Sequence, residues 1–241
     1  MIQRIYYCNL NPLFRLLRFF LLSTGLQLSL FFNALNAKEM EMTETSVTIE
    51  VFKGAETIPY LQRLAELRIS FYRNYPYLYE GNLTDEWKYL SMYANSENSL
   101  LVVVKKGKEV VGVISGIPLQ ESNKGEDKKL FAKKDLSLES IFYLGEIVLL
   151  QEYLKNDIQQ RLYQYFEEAV LGLEKYNTIV VCEIERNAED PKKPVCDSLS
   201  EAFWENRGFI KRQDLNTHYI WRDIDTLEET DHLMMFWTKN L

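Results

Sequence analysis

The chain has 241 residues, of which 46% are hydrophobic and 26% charged, a composition typical of a folded globular protein and unlike that of disordered or collagen-like chains. A formal net charge of −7 argues against a nucleic-acid partner, because phosphate contacts need clustered Lys and Arg. The cysteines form no CxxC pattern (Cys8, Cys182, Cys196), and the histidines have no partner at ligand spacing (His218, His232), so we expect neither a disulfide framework nor a metal site.

The N-terminal segment differs in composition from the rest of the chain. Basic residues precede a charge-free run from Phe19 to Ala37 that ends on a small residue, the order of a secretory signal. As a membrane span this run is marginal, because ~20 mainly apolar residues are needed and it contains polar ones. Met40 and Met42 stand just before the first strand pattern, so translation could start there instead. Two alternatives stay open for residues 1–42: an exported or membrane-anchored protein, or a cytoplasmic protein without this segment.

From residue 47 onward, strand and helix patterns alternate along the chain. Period-two or continuous apolar runs predict strands, and apolar spacings of three and four predict helices. Gly107 indicates a hairpin turn, Gly208 indicates the end of a short helix, and the polar segment 121–137 predicts a surface loop or short helix. The predicted order is β-α-α-β-β-β-α-β-α-β-β, which indicates one mixed α/β domain. Its strands lie in 46–52, 99–119 (a hairpin), 141–150, 178–185, 217–224 and 232–241, and its helices in 57–76, 84–94, 157–176 and 198–207.

Three segments in this order resemble motifs of the GNAT superfamily of acyl-CoA-dependent N-acyltransferases. They are VVGVISGIPL (110–119), FYLGEIVLLQEYL (142–154) and AFWENRGF (202–209). Further blocks are similar to one uncharacterised bacterial-type subgroup, namely LAELRISFYRNYPYLYEG, IERNAEDPKKP with LSEAFWENRGF, and WRDIDTLEET with MMFW. The resemblance covers residues 47–241. It implies a single GNAT-like domain with a splayed central mixed β-sheet flanked by helices.

The resemblance also implies a reaction, the transfer of an acetyl group from acetyl-CoA, as co-substrate, to an amine of a small molecule or peptide. Backbone groups of the fourth strand would bond the acetyl carbonyl and the pantetheine amides (Ile147, Val148, Leu149, Leu150). Glu146, inside this apolar strand, would be the general base, and burial is expected to raise its pKa. The alternative for Glu146 is a structural side chain bonded to neighbouring backbone.

The segment that would hold the cofactor pyrophosphate departs from the family pattern Q/R-x-x-G-x-G/A. The residues at its characteristic positions are Leu154, Asp157 and Gln159. Leu154 supplies no donor, Asp157 adds a negative charge, and Gln159 adds bulk where the backbone must approach the phosphates. Asp157 and Gln160 have capping-box spacing, which predicts a self-capped helix start. Lys155 could return a cation, so the residues assigned to cofactor binding in this arm are Lys155, Asn156, Asp157, Ile158 and Gln159. An active transferase and a weakened or inactive GNAT-fold binding protein both stay open.

Aromatic residues are the remaining candidates for the site. The family's F-Y pair, whose Tyr protonates the departing thiolate, is replaced by Phe203 and Trp204. Tyr163, Tyr165 and Tyr219 are substitutes for that acid or else core and rim aromatics. The tyrosines of RNYPYLYEG (73–81) either line an amine pocket, with Glu80 or Asp85 attracting a cation, or pack beneath their loop. Arg186 either lines the mouth of that pocket or turns the chain, and Cys182 is expected to be a buried strand residue.

Overall fold

The computed structural model describes residues 47–154, 157–187, 189–193 and 199–241. Residues 1–42, with the signal-like run and the alternative start, lie outside the described residues, as do Cys8 and Cys196. Among the residues described, no helix combines the length and the apolar character needed to cross a membrane.

The described part of the chain forms a mixed α/β fold, as predicted. Its elements are β1 (Thr48–Lys53), α1 (Leu61–Tyr72), α2 (Leu83–Ala94), β2 (Leu100–Lys106), β3 (Glu109–Pro118), α3 (Gly125–Ala132), β4 (Ile141–Leu149), α4 (Ile158–Leu171), β5 (Thr178–Ile184), α5 (Leu199–Glu205), β6 (Ile210–Arg222) and β7 (Glu229–Asn240). The polar segment predicted as a loop or short helix contains α3. Strand β6 begins earlier than predicted, because the register shifts between Arg212 and Asn216 and this bulge hides the strand pattern before Thr217.

The seven strands form one sheet in the order β1-β2-β3-β4-β5-β7-β6. All neighbours are antiparallel except β4 and β5, which are parallel and are connected through α4, as parallel strands require a crossover. Every residue of β4 is buried, which explains its continuous apolar sequence. Charged Glu146 in the middle of this strand is therefore the exception that needs a partner.

Helices cover both faces of the sheet. Helices α1, α2 and α3 pack on one face over a core that includes Leu64, Tyr93, Phe131, Val148 and Phe236. Helix α4 packs on the other face, where its buried side chains recur every four residues, at Leu162, Phe166 and Val170, and meet Phe142 and Trp204. The two cores together place β4 and β5 at the centre of the molecule.

Strands β4 and β5 separate after a short paired stretch. Their register runs from Ile141 opposite Thr178 to Leu144 opposite Val181 and ends there, although both strands continue. Beyond this point β5 stays paired with β7 and β4 with β3, so the sheet opens between its two central strands. The splayed central sheet expected from the sequence is thus present.

Candidate functional site

A bulge in β4 determines where Glu146 points. Ser115 of β3 pairs with Glu146 but Gly116 pairs with Leu144, so Gly145 is an extra residue in β4. The extra residue shifts the alternation of side chains and directs Glu146 to the face covered by α1 and α2. Glycine is required there, because a Cβ on Gly145 would stand 2.0 Å from the Tyr93 hydroxyl.

Glu146 is fully buried in a cluster of polar side chains. Arg68 of α1 donates from Nη1 to one carboxylate oxygen of Glu146 and from Nε to Glu86 of α2. The other oxygen of Glu146 accepts a hydrogen bond from the Tyr93 hydroxyl at 3.0 Å and one from Ser115. These five residues, Arg68, Glu86, Tyr93, Ser115 and Glu146, are called the Glu146 cluster below.

The cluster keeps Glu146 ionised. Burial raises the pKa of Glu146, but the Arg68 guanidinium and the Ser115 hydrogen bond lower it more, and the resulting pKa lies below its usual value. The predicted rise in pKa is therefore wrong, because burial of the carboxylate is accompanied by burial of a cation. The side-chain partners of Glu146 also differ from the backbone partners expected for a purely structural Glu.

Sequence analysis did not single out the partners of Glu146. Arg68 had a detectable signal, since it lies four residues after Leu64 and four before Tyr72, both fully buried, and so interrupts the apolar face of α1. Tyr93 and Ser115 gave no such signal, because aromatic and small polar residues are common in buried helices and strands.

A pocket of about 430 Å³ opens on the same face of the sheet as the Glu146 cluster. Arg68 and Glu86 form part of its wall, together with Tyr79, Asp85, Tyr89, Lys124 and residues 218–221 of β6. Arg68 lies 4.3 Å from the centroid of the Tyr89 ring, a cation–π contact. The pocket is therefore separated from Glu146 by the Arg68 side chain and is bordered by aromatic rings.

The tyrosines of segment 73–81 divide between the pocket and the core. Tyr79 lines the pocket with Asp85, whereas the role of this pocket as the acceptor side stays a prediction. Tyr75 and Tyr77 are buried, and the ring centroid of Tyr77 lies 4.7 Å from that of Tyr72. The segment thus contributes one tyrosine to the pocket and uses the others for packing.

Arg186 attaches this segment to the end of β6. It donates hydrogen bonds to the carbonyl oxygens of Pro76 and Tyr77 and forms an ion pair with Asp223 at 3.0 Å. Asp223 also lies 3.3 Å from His232, whose ring stacks on the pocket residue Trp221. Arg186 therefore positions the wall of the pocket and does not line it.

Protonation of His232 is expected to destabilise the fold. Burial lowers the pKa of His232 below 6.5, although the charge of Asp223 opposes this. The unfolded chain then binds more protons than the folded one, so stability is complete above pH 6.5 and falls as the pH drops towards the folded-state pKa. In urea unfolding at about pH 7.5 and about pH 5.5, His232→Gln should lose less stability on acidification than wild type. Exposed His218→Gln is the control, and an unchanged pH dependence in His232→Gln would contradict the prediction.

The open edge of β4 offers backbone groups at two of the four predicted positions. The Leu150 amide donates to Val111 of β3 at 2.9 Å, so alternation also directs the backbone groups of Val148 to β3. The backbone groups of Ile147 and Leu149 point the other way, into the gap, where neither has a paired residue in β5 among those described. The cofactor-binding role assigned to these residues stays a prediction.

The start of α4 is built differently from the prediction. Asp157 precedes the helix with φ −66° and ψ 0°, and its side chain caps no helix amide. An N-cap side chain reaches the N3 amide from an extended conformation, so the helical dihedrals of Asp157 explain why the predicted capping box is absent. Leu154, Ile158 and Gln159 are buried, and Gln159 Nε2 has no hydrogen-bond partner among the described residues. Lys155 and Asn156 lie outside the described residues.

Most of the other aromatic candidates are core residues on the α4 face. Tyr163 is buried beside Phe203 and Trp204, and burial raises the pKa of Tyr163. Tyr165 is exposed, whereas Tyr219 lines the pocket and donates to Asp127. Cys182 is a buried strand residue, as expected, and burial raises the pKa of its thiol. No three His, Cys, Asp or Glu side chains are grouped as metal ligands in the described part of the chain.

Solved structures of acetyltransferases share this fold. The chain matches ribosomal-protein-alanine N-acetyltransferase from Brucella melitensis with a TM-score of 0.51 at 14% identity, over 80% of this chain and 99% of that one. It matches Arabidopsis thaliana NAA60 in complex with acetyl-CoA with a TM-score of 0.52 at 9% identity, over 81% of this chain and 99% of that one. No protein-family model matches the sequence, and a search of curated protein sequences finds no significant match. At these identities the similarity shows the fold.

Proposed function

We propose that this chain, which has the fold of the GNAT acetyltransferases, transfers an acetyl group from acetyl-CoA to an amine. The observation that carries the proposal is the opening between β4 and β5, beside which Glu146 of β4 bonds Arg68, a residue that also lines the pocket. A thioester in the opening and an amine in the pocket would approach each other across Glu146. Among the structures similar to this chain, Arabidopsis NAA60 was solved with acetyl-CoA and with a bisubstrate analogue.

The open edge of β4 supplies backbone groups for binding the cofactor, and substitution of side chains does not remove these groups. The amides and carbonyls of Ile147 and Leu149 can pair with the amides of an extended pantetheine chain, in the way that a strand pairs with a sheet edge. An amide directed at the acetyl oxygen would stabilise the negative charge that develops there during transfer. The buried side chains of these strand residues hold this edge in place.

Glu146 is the proposed general base. It is ionised, which a base requires, but it does not line the pocket, so the proton of the amine would reach it through an intervening group. Tyr89 is placed for this role, because it lines the pocket and its ring contacts the Arg68 side chain that bonds Glu146. Arg68 positions Glu146 and keeps it ionised until the amine is bound.

A second function, binding without turnover, is favoured by the arm before α4. A pyrophosphate needs exposed amides at the start of the helix, and glycine allows the close approach. Here Gln159 is buried in that turn and Leu154 adds no donor. A chain that keeps the fold but has lost the pyrophosphate contacts would hold a ligand in the pocket and release no coenzyme A.

Calorimetric titration of the full chain with acetyl-CoA separates the two functions. The transferase predicts binding of acetyl-CoA, release of coenzyme A thiol with primary amines, and a fall in turnover of at least about 100-fold in Glu146→Gln, the contribution of a positioned base. The affinity for acetyl-CoA should be unchanged in this variant, because the cofactor contacts are made by backbone. Exposed Glu139→Gln, just before β4, is the matched control and should behave as wild type.

The arm itself is tested by Gln159→Gly. If folded wild type gives no binding heat and Gln159→Gly binds acetyl-CoA, the side chain at this position blocks the cofactor and the transferase proposal fails. If both bind with similar affinity, the buried glutamine is compatible with the cofactor and the binding-only function loses its support.

A further inference from the structure

Lys124 occupies the pocket with its own amine. It precedes α3, and its Nζ lies 4.3 Å from the ring centroid of Tyr219, 5.0 Å from that of Tyr89 and 5.8 Å from that of Tyr143. These rings come from β6, α2 and β4, three elements far apart in sequence. The fold therefore builds an aromatic enclosure around one lysine ammonium, an arrangement used in proteins to recognise alkyl ammonium groups.

The ammonium of Lys124 lacks the polar partners that its neighbours have. No hydrogen bond or ion pair involves Nζ of Lys124 among the described residues, whereas Lys128 Nζ donates to Ser122 O at 2.8 Å and Lys129 Nζ pairs with Glu126 at 2.7 Å. Burial lowers the pKa of Lys124, and the charge of nearby Asp127 opposes this. More of the amine is thus neutral, the form that can attack a carbonyl carbon.

Lys124 is also at the right place on the sheet. Tyr143, one of the enclosing rings, pairs with Val180 one position before the β4–β5 register ends. Glu146, also on β4, lies on the opened side of that register and bonds Arg68, which lines the same pocket as Lys124. The amine therefore lies at the mouth of the opening in which the proposed function puts the thioester.

A proton acceptor lies one turn into α3. Asp127 is buried, its Oδ2 accepts a hydrogen bond from Tyr219, and its Oδ1 has no hydrogen-bond partner within the described residues. Burial raises the pKa of Asp127 above its usual value, a change that makes a carboxylate a better base.

We propose that Lys124 is itself an acceptor, so that the chain acetylates its own Nζ at this position. The inference rests on the proposed function, which supplies the acetyl-CoA. Neutral Nζ attacks the thioester carbonyl carbon, the C–N bond forms and the C–S bond breaks. The proton lost from nitrogen passes to Asp127 and then to the departing thiolate, giving Nε-acetyl-Lys124 and coenzyme A. The product is neutral and no longer makes a cation–π contact with the three rings.

The test is incubation of the full chain with acetyl-CoA, followed by intact-mass measurement and peptide mapping. We expect one acetyl group per chain on Lys124, added at least about 100-fold faster than on Lys128 or Lys129, since a positioned amine gains from proximity and a nearby base. The first-order rate should not depend on protein concentration, because the reaction is intramolecular. Lys124→Arg should take up no acetyl group at this rate, and Lys128→Arg, the matched control, should react as wild type.

Three outcomes overturn the inference, and they are distinguishable. If the chain binds acetyl-CoA in calorimetry and acetylates an added amine while Lys124 stays unmodified, self-acetylation is wrong and the proposed function stands. If acetyl-CoA does not bind, both fail together. Equal modification of Lys124, Lys128 and Lys129, in the folded and in the urea-unfolded chain alike, indicates chemical acetylation by the thioester and also overturns the inference.

Discussion

Replacing Arg68 with methionine is expected to lower the free energy of unfolding by about 3–5 kcal/mol, the cost of leaving a buried ion without its partner. The Arg68 guanidinium pairs with both Glu86 and Glu146, and all three side chains are at most 4% exposed. Methionine has a similar length and no charge, so the variant leaves two buried carboxylates without their cation. Urea denaturation at neutral pH measures the change through the shift in midpoint.

Two controls show whether the loss is electrostatic. Arg73→Met removes an ion pair with Glu80 just after the same helix, but that arginine side chain is 55% exposed, so the expected loss is about 0–1 kcal/mol. The triple variant Arg68→Met, Glu86→Gln, Glu146→Gln removes all three charges and should recover much of the stability lost in Arg68→Met. A triple variant less stable than Arg68→Met would contradict the view that uncompensated charge is the cause.

The ion triad of Arg68, Glu86 and Glu146 is not needed for stability. A buried ion triad contributes little net stability compared with apolar residues of the same volume. Apolar residues of similar volume could replace Arg68, Glu86 and Glu146. The pocket would then lose its polar wall, and β4 would lose its carboxylate. Under the proposed function, the cluster provides the ionised carboxylate that a general base requires.

The sequence predicted the sheet and its helices because their signals are local. Apolar periodicity lies within each element, and Glu146 stood out because a charge interrupts the apolar strand β4. The splay between two central strands was implied by the GNAT resemblance and is present between β4 and β5. The main local error was the predicted start of β6 at Thr217. A bulge between Arg212 and Asn216 interrupts the alternation of side chains from which strands are predicted.

The site could be predicted only in part, because its contacts are long-range. The pKa of Glu146 depends on Arg68, 78 positions away in sequence, and the sign of its shift follows from that contact. The enclosure of Lys124 joins rings from three elements, and the sequence around Lys124 reads as an ordinary polar loop. The predicted cap at Asp157 failed for another reason, since the residue spacing was right and the backbone dihedrals were not.

Gly145→Ala is expected to disturb the Glu146 cluster without altering the open edge of β4. The added Cβ would stand 2.0 Å from the Tyr93 hydroxyl and 3.0 Å from Ser115 Oγ, so Tyr93 must move and its 3.0 Å hydrogen bond to Glu146 is lost. Overpacking of this kind costs about 1–3 kcal/mol of unfolding free energy. Under the proposed function, the rate of amine acetylation should fall by more than the loss of folded protein accounts for. The affinity for acetyl-CoA should be retained, because Ile147 and Leu149 make its contacts. Gly125→Ala is the control, because nothing lies within 4 Å of its Cβ position and the substitution should not destabilise the fold.

A double-mutant cycle identifies the hydroxyl of Tyr93 as the obstacle. Tyr93→Phe removes the atom at 2.0 Å, and the next ring atom, Cζ, lies 3.4 Å from the added Cβ, an ordinary contact. Tyr93→Phe alone should cost about 1.5–3 kcal/mol, because the lost hydrogen bond has the ionised Glu146 carboxylate as its acceptor. Gly145→Ala combined with Tyr93→Phe should therefore be less destabilised than the sum of the two single variants, because the clash and the hydrogen bond disappear together. Additive losses would mean that the 3.0 Å contact with Ser115 Oγ, and not the space beside the Tyr93 hydroxyl, requires glycine.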